Sequence, residues 1–154
     1  MGDTNDEVIG VSRSFRPHIL AEATEGTLKG ESLVQRTIVL ISGLVVVPDG
    51  VLTGPYAIDV LNQISLDMAF IGVNGFDENG PGTVDEYEAS VNHTMITRAQ
   101  QTFIVADSSK FGKRSFTSIS GENDRSATTI ITDSSISQEW ADRVTQQGYN
   151  LRIV

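Results

Sequence analysis

A chain of 154 residues with 39% hydrophobic residues and four prolines has the material for one domain around a buried core, and its composition is not that of a disordered chain. With 20 acidic residues against 11 basic ones the net charge is −9, which disfavours contact with a phosphate backbone, and no helix-turn-helix, zinc-finger or basic-helix pattern is present. The absence of cysteine excludes disulfides, thiolate metal sites and a cysteine nucleophile.

Residues 1–36 are polar and irregular, with Gly2, Gly10, Gly26 and Gly30 and little apolar periodicity; a short helix over Ile19–Ala23 is the one element expected there. The character changes at Thr37, so residues 37–154 are expected to form the folded domain. Thr37–Ile41 is a β-branched run closed by Ser42-Gly43, the pattern of a buried strand and turn. The apolar run 37–47 is the longest in the chain. It falls short of the roughly 18–20 residues that cross a bilayer, and no charged-then-apolar leader opens the chain. The expectation is a soluble, cytoplasmic protein without a membrane partner.

Leu44–Val47 and Val51–Thr53 read as extended pieces around the turn Pro48-Asp49-Gly50. Tyr56–Ile64 places Ala57, Val60, Leu61 and Ile64 on one helical face. Met68–Val73 is a buried strand ended by Asn74-Gly75, and 77–85 reads as loop. Glu86–Gln100 is an amphipathic helix that Thr83 or Asp85 can cap. Phe103–Ala106 is a short strand, 107–114 a charged loop, and Ala127–Ile131 a further strand. The last helix uses Ile136, Trp140 and Val144, with Ser135 or Ser137 as its cap and Gly148 as its stop, before a terminal strand Leu151–Val154.

Strands alternating with helices of 10–15 residues predict an α/β fold: a mainly parallel sheet, with helices on both faces through right-handed crossovers. In open sheets of this kind ligands gather at the carboxyl ends of the strands, at a topological switch point. The loops that open at Gly43, Asn74, Asp107 and Asp133 each follow a strand, so they are where chemistry is sought.

The densest polar segment is Ala106 to Arg114, ADSSKFGKR. Lys110 carries a point charge with three rotatable donors, suited to a phosphate, and Ser108 and Ser109 add hydroxyls. Asp107 is a hydroxyl acceptor. On spacing alone the same residues also read as a solvated turn. Gly72 lets a ligand approach the backbone, and Asn74 both donates and accepts. Glu88, near the start of its helix, accepts sugar hydroxyls or simply favours the helix dipole. His93 has no companion at metal-ligand spacing, and no P-loop, dinucleotide fingerprint or nucleophile elbow occurs, so no metal and no cofactor is expected.

Taken in order, Ile41-Ser42-Gly43, Thr53-Gly54-Pro55, Asp67 to Gly72, Thr83 to Glu88, Ala106 to Gly112 and Ile130 to Asp133 resemble the C-terminal sensor domain of DeoR-type transcriptional regulators. The resemblance runs from about residue 37 to the end. It implies a fold similar to ribose-5-phosphate isomerase, glucosamine-6-phosphate deaminase and the coenzyme A transferases. It further implies binding of a phosphorylated sugar or related metabolite, with DNA contacted only through a separate N-terminal winged helix that this chain lacks.

Two departures accompany the resemblance: the upstream phosphate-cradling Gly-Thr loop is absent, and Asn92 stands where relatives commonly carry lysine. The site residues expected are Gly43, Gly72, Asn74, Glu88, Asp107 and Lys110, none of them catalytic. The competing readings are a sugar-phosphate isomerase or deaminase using Glu88 or Asp107 as base, and an interaction domain completed by another subunit. Self-association into a homo-oligomer is expected in either non-catalytic case.

Overall fold

The computed structural model describes residues 8–11, 44–46, 51–119 and 125–154. Its centre is a five-stranded, all-parallel sheet. In spatial order the strands are β1 (Val8–Val11), β4 (Leu66–Gly72), β7 (Ala99–Val105), β9 (Thr128–Thr132) and β10 (Asn150–Ile153). Beside it stand an antiparallel pair, β2 (Leu44–Val46) with β3 (Val51–Thr53), and a small antiparallel sheet of β5 (Gly75–Asp77), β6 (Gly80–Thr83) and β8 (Thr117–Ser118). The helices are α1 (Pro55–Asn62), α2 (Glu86–Arg98) and α3 (Gln138–Gln146). The parallel α/β architecture expected from the sequence is thus present.

Period-two alternation decides which side of the sheet is buried. Ala69 and Ile71 of β4, Ile104 of β7 and Ile130 of β9 turn to one side and form a core with Ala57 and Leu61 of α1, Val91 and Met95 of α2, and Val144 of α3. The described helices therefore share that face, whereas helices on both faces were expected. On the opposite face Phe70 and Phe103 are register partners with rings stacked at 4.9 Å. Both are half-buried.

Local chemistry sets the helix ends. Pro55 opens α1 after Gly54, whose φ of 93° is left-handed and suits glycine. Asp85, and not Thr83, caps α2 by accepting from the Glu88 amide at 2.8 Å. Of the two serines considered for α3, Ser137 is the cap, and Gly148 at φ 92° ends the turn beyond it. At the lower end of α2 the Arg98 guanidinium donates twice to the Ile64 carbonyl, at 2.9 and 2.6 Å, tying the two helices' ends together.

Four expectations are corrected. Val8–Val11, read as irregular, is an edge strand in register with Met68–Ile71. The stretch 77–85, read as loop, contains the last residue of β5 and all of β6, which pairs with β5 and with β8. Helix α2 stops at Arg98 instead of running to Gln100, because Ala99 and Gln101 pair with Leu66 and Met68; ladder bonds outweigh the helical pattern there. The strand read as Phe103–Ala106 accordingly begins at Ala99. The proposed helix over Ile19–Ala23 and the strand Thr37–Ile41 lie outside the described residues.

Candidate functional site

Register brings the strand ends together. Gly72 of β4 pairs with Val105 of β7, and Val105 with Ile131 of β9, so Asn74, Asp107 and Asp133 leave neighbouring strands about 5 Å apart at one edge of the sheet. Gly72 faces open space: a Cβ built there would meet nothing within 4 Å.

After β7 the chain tightens into a 3-10 turn over Ser108–Lys110. Asp107 caps it, accepting from the Ser109 amide at 2.9 Å. Asp133, at the end of the next strand, accepts from the Ser108 amide at 2.7 Å and from the Ser135 amide at 2.9 Å. These two backbone donors, Ser108 first, hold the Asp133 carboxyl down at about 2. Asp107 is also held below the ordinary carboxylate range, chiefly by hydrogen bonding from the Ser109 side chain, then by its amide, with the Lys110 charge adding to both. The Lys110 ammonium stands 4.0 Å from Asp107, at the outer limit of an ion pair, with 31% of its side chain exposed. A cation so loosely paired keeps its donors available to another anion.

Aromatic packing fixes where this loop goes. Phe111 lies against Phe76, with ring centroids 5.3 Å apart, and Trp140 lies 6.2 Å from Phe111. The Gly112 amide donates to the Phe76 carbonyl at 2.8 Å. Phe76 itself is fully buried and also meets Tyr149 edge-on. The charged loop is therefore bolted to β5 by its own Phe-Gly.

A second polar group forms on the other side of β5. The Thr83 hydroxyl lies 2.6 Å from a Glu88 carboxylate oxygen and 2.9 Å from the Asn74 side-chain oxygen. A hydroxyl has one proton to give, and the shorter, charge-assisted contact to Glu88 claims it. Glu88 is buried at 7% exposure on the inward side of α2, and as an acid in that helix's first turn it also lies where the dipole favours it.

Of the expected site residues, Asn74 and Glu88 share Thr83 as a partner, Asp107 and Lys110 share a turn, and Gly72 lies at the base between the strand ends. Gly43 lies outside the described residues. Two participants were not among the expected site residues: Asp133, which pins the Ser108 amide, and Thr83, which joins Asn74 to Glu88. Asp133 carried a signal, since it ends a strand as Asp107 does; Thr83 carried none beyond its place before a helix. One cavity, of about 140 Å³, lies elsewhere, among Asp77, Gly80, Gly82, Arg114, Ser115 and Phe116, and none of the expected residues lines it. Among the described residues no group of three or more His, Asp or Glu is arranged for a metal ion.

Comparison with known proteins follows the same residues. The sequence profile of a family described as the DeoR C-terminal sensor domain matches residues 24–134. The chain is 34% identical over 113 residues to the HTH-type transcriptional regulator FruR of Bacillus subtilis (strain 168), an alignment covering 71% of this chain and 44% of that protein. It is 34% identical over 112 residues to the HTH-type transcriptional regulator GlpR of Haloferax volcanii, covering 71% of this chain and 39% of that protein. It is 32% identical over 102 residues to the HTH-type transcriptional repressor GlcR of Bacillus subtilis (strain 168), covering 66% and 39%. The chain thus spans less than half the length of these relatives.

Proposed function

Because the chain belongs to the DeoR family of transcriptional regulators and carries its C-terminal sensor domain, we propose that it binds a phosphorylated sugar or related small metabolite at the strand ends and does not turn it over. Lys110, with Ser108 and Ser109, takes the phosphate. Asp107, Asn74 and Glu88 take hydroxyls, and Gly72, with Gly43, admits the ligand to the backbone. In this reading residues 37–154 are the sensing unit, working in the cytoplasm as a homo-oligomer. DNA is contacted by a helix-turn-helix part of a longer polypeptide. Binding favours one arrangement of subunits over another and shifts DNA occupancy by the difference in affinity, ordinarily about 1–3 kcal/mol for such coupling.

The observation that carries this reading is the hold of Asp133 on the Ser108 amide. It sets the Ser108–Lys110 turn at the mouth of β7, next to the open backbone at Gly72, where a parallel sheet receives its ligands. No helix among the described residues is long and apolar enough to cross a membrane.

The test is a calorimetric and thermal-shift titration of the full chain with glucose 6-phosphate, fructose 1-phosphate, fructose 6-phosphate and glycerol 3-phosphate. A ligand at 100 times its Kd raises stability by about 2.7 kcal/mol. Absence of a shift with all four overturns the proposal. Interconversion of glucose 6-phosphate and fructose 6-phosphate above background replaces the sensor with an isomerase, and release of ammonia from glucosamine 6-phosphate replaces it with a deaminase.

A further inference from the structure

Helix α2 is buried through most of its circumference, and its centre line is polar. At about 100° per residue, Glu88, Asn92 and Met95 fall in the middle of the inward arc, flanked by Val91, Ile96 and Ala89. Asn92 is 1% exposed, and among the described residues neither its amide nitrogen nor its oxygen has a hydrogen-bond partner. One turn above it, Glu88 has one oxygen engaged by Thr83, and among the described residues no side-chain donor is hydrogen-bonded to the other. Asparagine is a poor helix former, and an unpaired buried amide destabilises the fold. Every other side chain at the middle of that face is accounted for by packing or by a partner. Asn92 is not.

We propose that Asn92 reads hydroxyl groups on the carbon skeleton of the effector, together with the unengaged oxygen of Glu88. This rests on the sensor reading above and adds which part of the ligand goes where. Asn92 offers one acceptor and two donor hydrogens without charge, and the neighbouring carboxylate repels anions, so the complement is a neutral group that both donates and accepts. The phosphate belongs at Lys110, the hydroxyl-bearing end at α2. Both atoms of the Asn92 amide are closed to solvent in the present state, so the hydroxyls enter only as neighbouring side chains give way. Such a coupled movement is what a sensor requires.

The experiment compares the unsubstituted chain with Asn92→Leu and Asn92→Ser by calorimetry, using the four sugar and glycerol phosphates above and inorganic phosphate as a skeleton-free probe. Asn92→Leu removes the unpaired amide and is expected to keep or raise the ligand-free Tm. It is expected to bind the best sugar phosphate at least about tenfold more weakly, with less than about a twofold change for inorganic phosphate. Asn92→Ser, which keeps a donor and an acceptor, falls in between and serves where the leucine variant does not fold. Unchanged sugar-phosphate affinity in these variants overturns the inference and leaves the sensor reading standing. Equal weakening toward inorganic phosphate overturns it as well, since the effect is then a general disturbance. If the unsubstituted chain binds none of the organic phosphates, both fall.

Discussion

Asp133 reaches across 25 positions of sequence to hold the backbone amide of Ser108 at 2.7 Å, and so links the ends of two adjacent parallel strands. Its other oxygen holds Ser135 at 2.9 Å, at the approach to α3. A single carboxylate thereby sets the Ser108–Lys110 turn and the lead into the last helix.

This contact has a definite pH dependence. The folded pKa of Asp133, about 2, lies below the roughly 3.9 of a free aspartate. A depressed carboxylate pKa contributes stability above the unfolded value, and that contribution is lost as pH falls from about 4 through about 2. The Ser108 and Ser135 amide shifts, followed by NMR, are expected to titrate together with a midpoint near 2. A midpoint at the ordinary aspartate value would show that the two amides do not hold the charge. Asp133→Ala is expected to loosen the turn and weaken phosphate binding without removing Lys110.

Lys110 separates binding from stability. Its pairing with Asp107 is loose, at 4.0 Å, and partly exposed, and surface pairs of this kind are worth about 0–1 kcal/mol. Lys110→Gln is therefore expected to lower the Tm by no more than about 4 °C, while a lost charge-assisted bond of about 1.5–3 kcal/mol weakens phosphate binding at least about tenfold. Calorimetry and a melting curve on the same preparation decide. A variant that melts early but binds normally would make Lys110 structural.

How much of this was legible in the chain depends on whether a feature is local. The strands at Met68–Val73 and Ala127–Ile131 are written in neighbouring residues as an apolar and a β-branched run, and each cap was narrowed to two candidates, of which Asp85 and Ser137 stand three places ahead of the amide they accept from. The β5–β6 hairpin was not legible, because Gly75, Gly80, Pro81 and Gly82 have no alternation to read and pair through backbone alone. The joining of Asn74 to Glu88 through Thr83 depends on β6 lying beside α2, a tertiary fact. The start of β7 at Ala99 was hidden for a related reason: Ala99-Gln100 fits a helix as well as a strand until β4 is beside it. The strand tips were placed by pattern, and their partners were not.

Two glycines three residues apart make opposite predictions. At Gly72 a Cβ meets nothing within 4 Å and φ is not left-handed. Gly72→Ala is expected to be neutral or stabilising by about 0.4–1 kcal/mol through the unfolded chain, and to reduce ligand affinity because the methyl occupies the backbone approach. At Gly75 a Cβ would collide with the Lys113 carbonyl and lie 2.8 Å from the Ser115 hydroxyl. Gly75→Ala is expected to cost about 1–3 kcal/mol, as overpacking does. Urea denaturation of both variants, with a binding titration on Gly72→Ala, gives the comparison; a destabilised Gly72→Ala would show that the space beside β4 is filled.

Phe76 carries the coupling between the charged loop and the core. It is fully buried and meets Phe111, Trp140 and Tyr149 with centroids at 5.3, 6.5 and 5.7 Å, while its carbonyl accepts from Gly112. Removing the ring leaves a cavity bordered by three aromatics that belong to three different segments. Phe76→Ala is expected to cost about 3–5 kcal/mol and to free the loop that carries Lys110. Phe76→Leu keeps much of the volume but not the edge-on ring contacts, each worth about 0.5–1.5 kcal/mol, and is expected to cost less. If the packing positions the loop, sugar-phosphate affinity falls in the leucine variant even at temperatures where it is fully folded, and amide exchange from Ser108 to Gly112 quickens in step. Undiminished affinity in a destabilised Phe76→Leu would mean that Asp133 alone holds the turn in place.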